Sequence, residues 1–336
     1  MSDSARFSSF HVSDKSSVRT IMLQVSIALV PGILCYAWIM GWGVILQCLL
    51  AILFATTLES IVLLIRRIPV KAFLFDGSTV VTALLFAICL SPYAPWWANL
   101  AGIAFGVVVI KHCYGGLGQN IFNPAIAGYV FTLLCFPMEL SIYPDPGNYP
   151  GFLDTIRIIN GNFPHYPDAI AGATVLSTLK SGLHDMKMIS EISQSPVFGV
   201  LAGRSTEWIA ALWFAGGIFL IVRKIIKWQV PVVFLGTMFL ISLVFYWFDS
   251  SHYPSPVFTL FAGGSMLAAF FIITEPVSSS TTPAGRLLFA AGTAIFAYII
   301  RTWGNYPDGI AFAVLIMNFS APLLDRLTRP RVLGER

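Results

Sequence analysis

The sequence predicts an all-α integral membrane protein of about ten transmembrane helices, built as two inverted five-helix repeats with a large extracytoplasmic loop between them. Composition is the first observation behind this. The chain is 57% hydrophobic and 11% charged, against about 25% charged residues in soluble domains, so it lacks the polar surface that encloses a core in water. The second is recurrence: apolar segments close to the ~20 residues needed to cross a bilayer return ten times. The third is the placement of Lys and Arg, which follows membrane sidedness.

Taken in order, residues 1–19 are polar and Ser-rich with no apolar run. They read as a cytoplasmic segment and not a secretory signal, with the first span as an uncleaved entry signal. Spans follow near 20–40, 42–65, 75–92, 95–112 and 121–137, giving a first membrane repeat over 20–137. The second repeat, 207–325, holds spans near 207–222, 228–248, 257–274, 286–301 and 308–325, and 326–336 is a cytoplasmic tail. The third and eighth spans are the weakest, because glycine and polar residues open both.

Orientation comes from charge. With both termini cytoplasmic, only Arg157, Lys180, Lys187, Arg204 and Arg301 of the twenty Lys and Arg residues fall outside the cytoplasmic segments. Four of those five lie in the long loop, where the bias weakens. The net charge of +4 therefore reports topology and not a nucleic-acid surface. The loop, 138–206, faces outward. It opens on the turn-rich "YPDPGNYPG" and continues with "FLDTIRII" and "ISEISQSPVFGVLAG", which read as small surface helices, so the loop is expected to be folded.

An odd number of spans per half makes the two halves inverted copies. "DGSTVVTALLFAICLSP" opens the third span and "GGSMLAAFFIITEP" the eighth, each placing Gly-Ser before an apolar run that ends at proline. Chance similarity between apolar segments is the competing reading. Inverted repeats with interrupted helices place binding sites at the repeat interface.

Four constellations could carry chemistry. In "KHCYGGLGQNIFNPAIAGY", 111–129, three glycines and Pro124 interrupt the chain, and Asn120 and Asn123 are spaced to project from one face of a helical turn. Their amides suit a neutral heteroaromatic ring; capping the next helix is the plainer role, and spacing alone favours it. "TEPVSSSTTPAGR", 274–286, offers five consecutive hydroxyls, for an anion or an ion path; composition favours a solvated loop. Glu59, Asp76, Lys111, Glu275, Arg286, Arg301, Asp308 and Asp325 sit near span ends, where charge is costly at depth and functional when retained. Asp76 and Asp308 each precede a glycine at a span mouth, which reads as a turn. The fourth is "HYPDAIAGATVLSTLKSG", where Thr174 follows Ala171-Gly172-Ala173 with Asp168 upstream. Small neighbours leave this hydroxyl open to a modifying enzyme, although an A-G-A-T run in isolation is usually a helix start.

The five cysteines, at 35, 48, 89, 113 and 135, form no C-x-x-C pair. They read as small apolar fillers, so electron handling would need a cofactor not held by cysteine.

"YGGLGQNIFNPAIAGY", "TEPVSSSTTPAGR", "GNYPDGIAFAVLIMN" and "DRLTRPRVLGER" together resemble the family that holds RnfD, of the Rnf electron-transport complex, and NqrB, of the sodium-pumping NADH:quinone reductase. The resemblance runs over essentially the whole chain. It implies FMN joined covalently through its phosphate to Thr174, within a D-x-x-[SA]-x-A-T motif that falls on Asp168, Ala171, Ala173 and Thr174 around Gly172, with Ala171 where serine is frequent. It also implies a noncovalent riboflavin near Asn120 and Asn123. The implied partners are the other Rnf proteins (RnfA, RnfB, RnfC, RnfE and RnfG), a flavin transferase and membrane lipid, with no nucleic acid. The implied activity is electron transfer between ferredoxin and NAD coupled to Na⁺ or H⁺ movement across a bacterial inner membrane, with the Rnf branch the better fit. A secondary transporter or channel without a redox cofactor is the alternative.

Overall fold

The computed structural model describes residues 18–116, 118–162, 171–204 and 206–329. The first half runs α1 (Val18–Met40), α2 (Gly43–Ile65), α3 (Val70–Leu74), α4 (Ser78–Cys89), α5 (Trp96–Ala104, continuing as a π-helical stretch Phe105–Cys113) and α6 (Pro124–Cys135). The loop contributes α7 (Pro137–Ser141), β1 (Tyr143–Pro144), α8 (Phe152–Ile159), β2 (Ala171–Gly172), α9 (Val175–His184) and α10 (Ile189–Ile192). The second half runs α11 (Thr206–Val222), α12 (Gln229–Phe248), α13 (Pro256–Phe261), α14 (Ser265–Leu267, continuing as π-helical Ala268–Ile272), α15 (Pro283–Trp303) and α16 (Ile310–Leu327).

Among the described residues, six helices are long and apolar enough to cross a membrane: α1, α2, α5 with its continuation, α12, α15 and α16. Three shorter apolar ones are α4, α6 and α11. The ten expected segments are therefore unequal: six are long enough to cross, three are shorter, and one is broken. The segment expected at 257–274 is two pieces, α13 and α14, broken at Ala262–Gly264. The one expected at 75–92 begins only at Ser78, after Gly77 at φ +79°. Gly263 at the second break has φ +63°, and a Cβ there would lie 2.5 Å from an Asp308 carboxylate oxygen. Glycine is thus required by both backbone sign and space.

The long helices bury one face and leave the other apolar and open: Leu34, Trp38, Leu49, Leu53, Leu240 and Trp247 are all exposed. In water this would be an aggregating surface; in hydrocarbon it is the ordinary outer face of a bundle. The halves pack together through α1 against α11 and α6 against α16.

The loop is folded where it is described. Tyr143 pairs with Gly172 and Pro144 with Ala171 in a two-residue antiparallel contact. Val175, Leu176, Leu179, Ile192 and Ala202 form a small core with Phe258 and Ala262 of the membrane part. The loop also touches the ends of four helices: Tyr149 Oη donates to Trp38 O at 3.1 Å, Ser91 Oγ donates to Ile142 O, Ile189 N donates to Ser251 O at 2.9 Å, and Lys180 Nζ donates to Arg301 O at 3.3 Å. The ends of α1, α4, α12 and α15 therefore share one face of the bundle. At the opposite face Arg223 meets Gln24, Arg66 meets His112 O, and the 280–282 hydroxyls meet Asp325 and Thr328.

Candidate functional site

On the loop face, Thr174 is the N-cap of α9, with extended backbone (φ −71°, ψ 154°). Its Oγ1 accepts from the Ser177 amide at 3.2 Å and donates to Ser177 Oγ at 2.9 Å. The hydroxyl thus sits at the N-terminal end of a ten-residue helix, where the backbone dipole and free amides favour negative charge. Beside it is a cavity of about 370 Å³, lined among others by Met40, Tyr143, Asp145, Ala173, Thr174 and Arg204. Among the described residues Arg204 is the only cation and Asp145 the only acid in that lining.

The small residues before Thr174 have a packing role. A Cβ at Gly172 would lie 2.8 Å from Asp145 Cα, so only glycine lets β2 approach β1 this closely. Ala173 is exposed, which leaves the approach to Thr174 open. Asp168 lies outside the described residues, and Ala171 is placed here by its backbone pairing alone.

Tyr143 connects this cavity to the bundle interior. Burial pushes its hydroxyl pKa well up, and the Cys89 thiol and Asp308 carboxylate nearby push the same way. Asp308 is more than the turn residue expected from "YPDGI". Its Oδ1 accepts from Ile310 N at 3.3 Å and from Arg301 Nη2 at 3.0 Å, and its Oδ2 accepts from Gly264 N at 2.8 Å, at the helix break. Asp76 does act as a turn residue, accepting from Ser78 N at 2.7 Å.

The opposite face holds the second cluster. Asn120 and Asn123 do not share a helical face, as their spacing suggested: the 119–123 segment is turn, because Gly115, Gly116 and Gly118 all adopt positive φ. Asn123 caps α6, the plainer role that spacing favoured, its Oδ1 accepting from Ala125 N and Ile126 N at 3.0 and 3.2 Å. Both carboxamides nevertheless converge on the Glu275 carboxyl. Asn318 completes the group, accepting from Asn123 N at 3.1 Å and donating to Ser278 O at 2.9 Å, while Ser278 Oγ donates to Glu275 at 2.7 Å.

The hydroxyl run is not the solvated loop its composition favours. Ser278, Ser279 and Ser280 are buried, and Asp325 accepts from Ser280 Oγ, from Thr281 N and Oγ1 at 2.8 and 2.9 Å, and from Thr282 N at 3.3 Å. Close by, Lys111 Nζ donates to Glu59 at 2.8 Å, Ser78 Oγ at 3.0 Å and Thr79 Oγ1 at 2.9 Å, all buried. His112 Nε2 stands 3.4 Å from the same Glu59 oxygen.

A family model described as NQR2, RnfD, RnfE matches residues 6–334. The chain belongs to the NQR2, RnfD, RnfE family. Its relatives include the D component of the ion-translocating oxidoreductase complex from three bacteria. That of Escherichia fergusonii is 41% identical over 98% of both chains. That of Aliivibrio salmonicida is 40% identical over 98% of both. That of Pseudomonas aeruginosa PAO1 is 43% identical over 97% of this chain and 94% of its own. The NQR2, RnfD, RnfE match spans both clusters, so Thr174 and the Asn120–Asn123–Glu275 group lie within the shared region.

Asn318, His112, Tyr143 and Arg204 were missed as site residues. Asn318 had a signal, a lone amide within the apolar "LIMNFS", which inside a membrane helix calls for a partner. The others carry none, since their roles depend on contacts distant in sequence.

Proposed function

We propose that this chain is the flavin-carrying membrane component of an ion-translocating oxidoreductase complex, with FMN joined through its phosphate to Thr174. The single observation that supports it most is Thr174 itself: a capping hydroxyl at a helix N-terminus, opening onto a cavity that Arg204 also lines. A phosphodiester there would face the α9 amides and one guanidinium, and its ester oxygen could still accept from the Ser177 amide. The residues present fit the group. The flavin supplies one- and two-electron chemistry; the chain's part is to hold it and set its surroundings.

The topology proposed is ten crossings in two inverted five-helix repeats over 20–137 and 207–325, with both termini cytoplasmic and 138–206 outside the inner membrane. Two matched contacts support it. Ser78 opens α4 and is bonded by Lys111 from the end of α5; Ser265 opens α14 and is bonded by Arg301 from the end of α15, at 3.0 and 3.1 Å. Elements in the same order in each half thus make the same pairing, on opposite faces. A second, noncovalent flavin, riboflavin, is assigned to the Asn120–Asn123–Glu275–Asn318 group on the cytoplasmic side. Partners would be RnfA, RnfB, RnfC, RnfE, RnfG and a flavin transferase, with electrons passing between ferredoxin and NAD and Na⁺ or H⁺ moved.

The test is the visible spectrum and peptide mass of the protein co-expressed with its transferase. Yellow protein with FMN on the Thr174 peptide supports the assignment. Colourless protein would turn it to the transporter or channel reading.

A further inference from the structure

A second cavity lies on the loop face, about 350 Å³ in volume, between α9 and the ends of α12 and α15. It shares no lining residue with the one at Thr174. Four basic side chains line it, Lys180, His184, His252 and Arg301, and among the described residues no acid does. Two of these bases are matched from behind: Arg301 by Asp308 at 3.0 Å and His252 by Asp249 at 2.7 Å.

Lys180 is not matched. Its ammonium donates to the carbonyls of Arg301 and Tyr306 at 3.3 and 2.9 Å, and among the described residues no carboxylate lies within ion-pair distance of it. An ammonium has three donors, so one remains for a ligand. Partial burial lowers its pKa, the mark of a cation short of counter-charge. Four bases with no acid among the described lining residues, one of them an ammonium with a donor to spare, call for an acceptor-rich anion.

Depth selects which anion. Trp247 and Phe248 at the end of α12 and Trp303 at the end of α15 are exposed, as aromatic residues are where a span meets the headgroups. Leu179, Leu183 and Trp303 add an apolar side to the lining. We propose that this cavity binds the phosphate of an anionic phospholipid, with Lys180 as its principal cation. The inference rests on the membrane orientation above but not on the flavin, so flavin-free protein should show the same binding.

The test is native mass spectrometry of the full chain in detergent, with phosphatidylglycerol, phosphatidylcholine or inorganic phosphate added. Phosphatidylglycerol should be retained in preference to phosphatidylcholine. His184→Gln, at an exposed position, should lower that retention, and Lys180→Gln should lower it further, by about fivefold, with Lys180→Arg restoring it. Equal retention of both lipids would overturn the proposal, as would retention unchanged in both variants. Displacement of the lipid by millimolar phosphate would overturn the lipid assignment in favour of a free-anion site.

Discussion

Asn318 and Asn123 join the two halves of the chain: the Asn318 carboxamide oxygen accepts the Asn123 backbone amide at 3.1 Å. The same side chain donates to Ser278 O at 2.9 Å, so one residue of α16 holds the start of α6 and the buried hydroxyl run. Asn318→Leu would leave a buried amide and a buried carbonyl unpaired, at about 1–3 kcal/mol each. The melting temperature should fall by several degrees, and any flavin bound near Asn120 should be lost with it. An unchanged melting curve would mean that water or rearrangement replaces both bonds.

The Lys111–Glu59 pair predicts a non-additive result. Both side chains are buried and 2.8 Å apart. Lys111→Met leaves the Glu59 carboxylate without its cation, which costs about 3–5 kcal/mol. Adding Glu59→Gln should recover most of that loss. A double variant as unstable as the sum of the single ones would show that the two do not act as a pair.

Glu275 predicts a pH dependence. It sits in the connection between α14 and α15, where burial pushes its carboxyl up to about 7 even though Ser278, the two asparagines and Lys111 act to lower it. The folded protein therefore holds a proton that the unfolded chain releases at ordinary carboxylate pH. Its contribution to stability is fully present below that range and declines as pH rises towards 7. Melting temperature should drop between about pH 5 and pH 8, and Glu275→Gln should flatten the curve. A wild-type curve that rises over this interval would reverse the sign.

Arg204 predicts a local effect on maturation. Arg204→Ala should reduce flavin occupancy at Thr174 several-fold while secondary structure is kept, because it removes the only cation among the described residues lining that cavity. Arg157→Ala, whose partner is the exposed Asp154, should leave occupancy unchanged. Equal occupancy in both variants would free Arg204 of any role with the phosphate.

Sequence carried the apolar helices well, because a lipid-facing helix is specified locally by its own composition. "FLDTIRII" as a small helix (Phe152–Ile159) and the weakness of the third and eighth spans were legible for the same reason. Burial of Ser278–Ser280 was not, since Ser278 is held by Asn318, 40 residues away, and Ser280 by Asp325, 45 residues away. The convergence of Asn120 and Asn123 on Glu275 was hidden too: three positive-φ glycines break the helix that their spacing assumed. Thr174 as a helix start was legible in A-G-A-T, and it is the N-cap of α9; the cavity beside it was not, since its lining joins Met40, Tyr143 and Arg204 from distant parts of the chain.

The most direct measurement is the mass of the peptide containing Thr174, with in-gel flavin fluorescence, for wild type, Thr174→Ser and Thr174→Ala made beside the transferase. Wild type should carry one FMN there. Serine should keep both the cap and a site for the ester. Alanine should lose the fluorescence and about 1 kcal/mol of helix stability with the cap. An unmodified wild-type peptide, or fluorescence that survives Thr174→Ala, would contradict the assignment of the flavin to this hydroxyl.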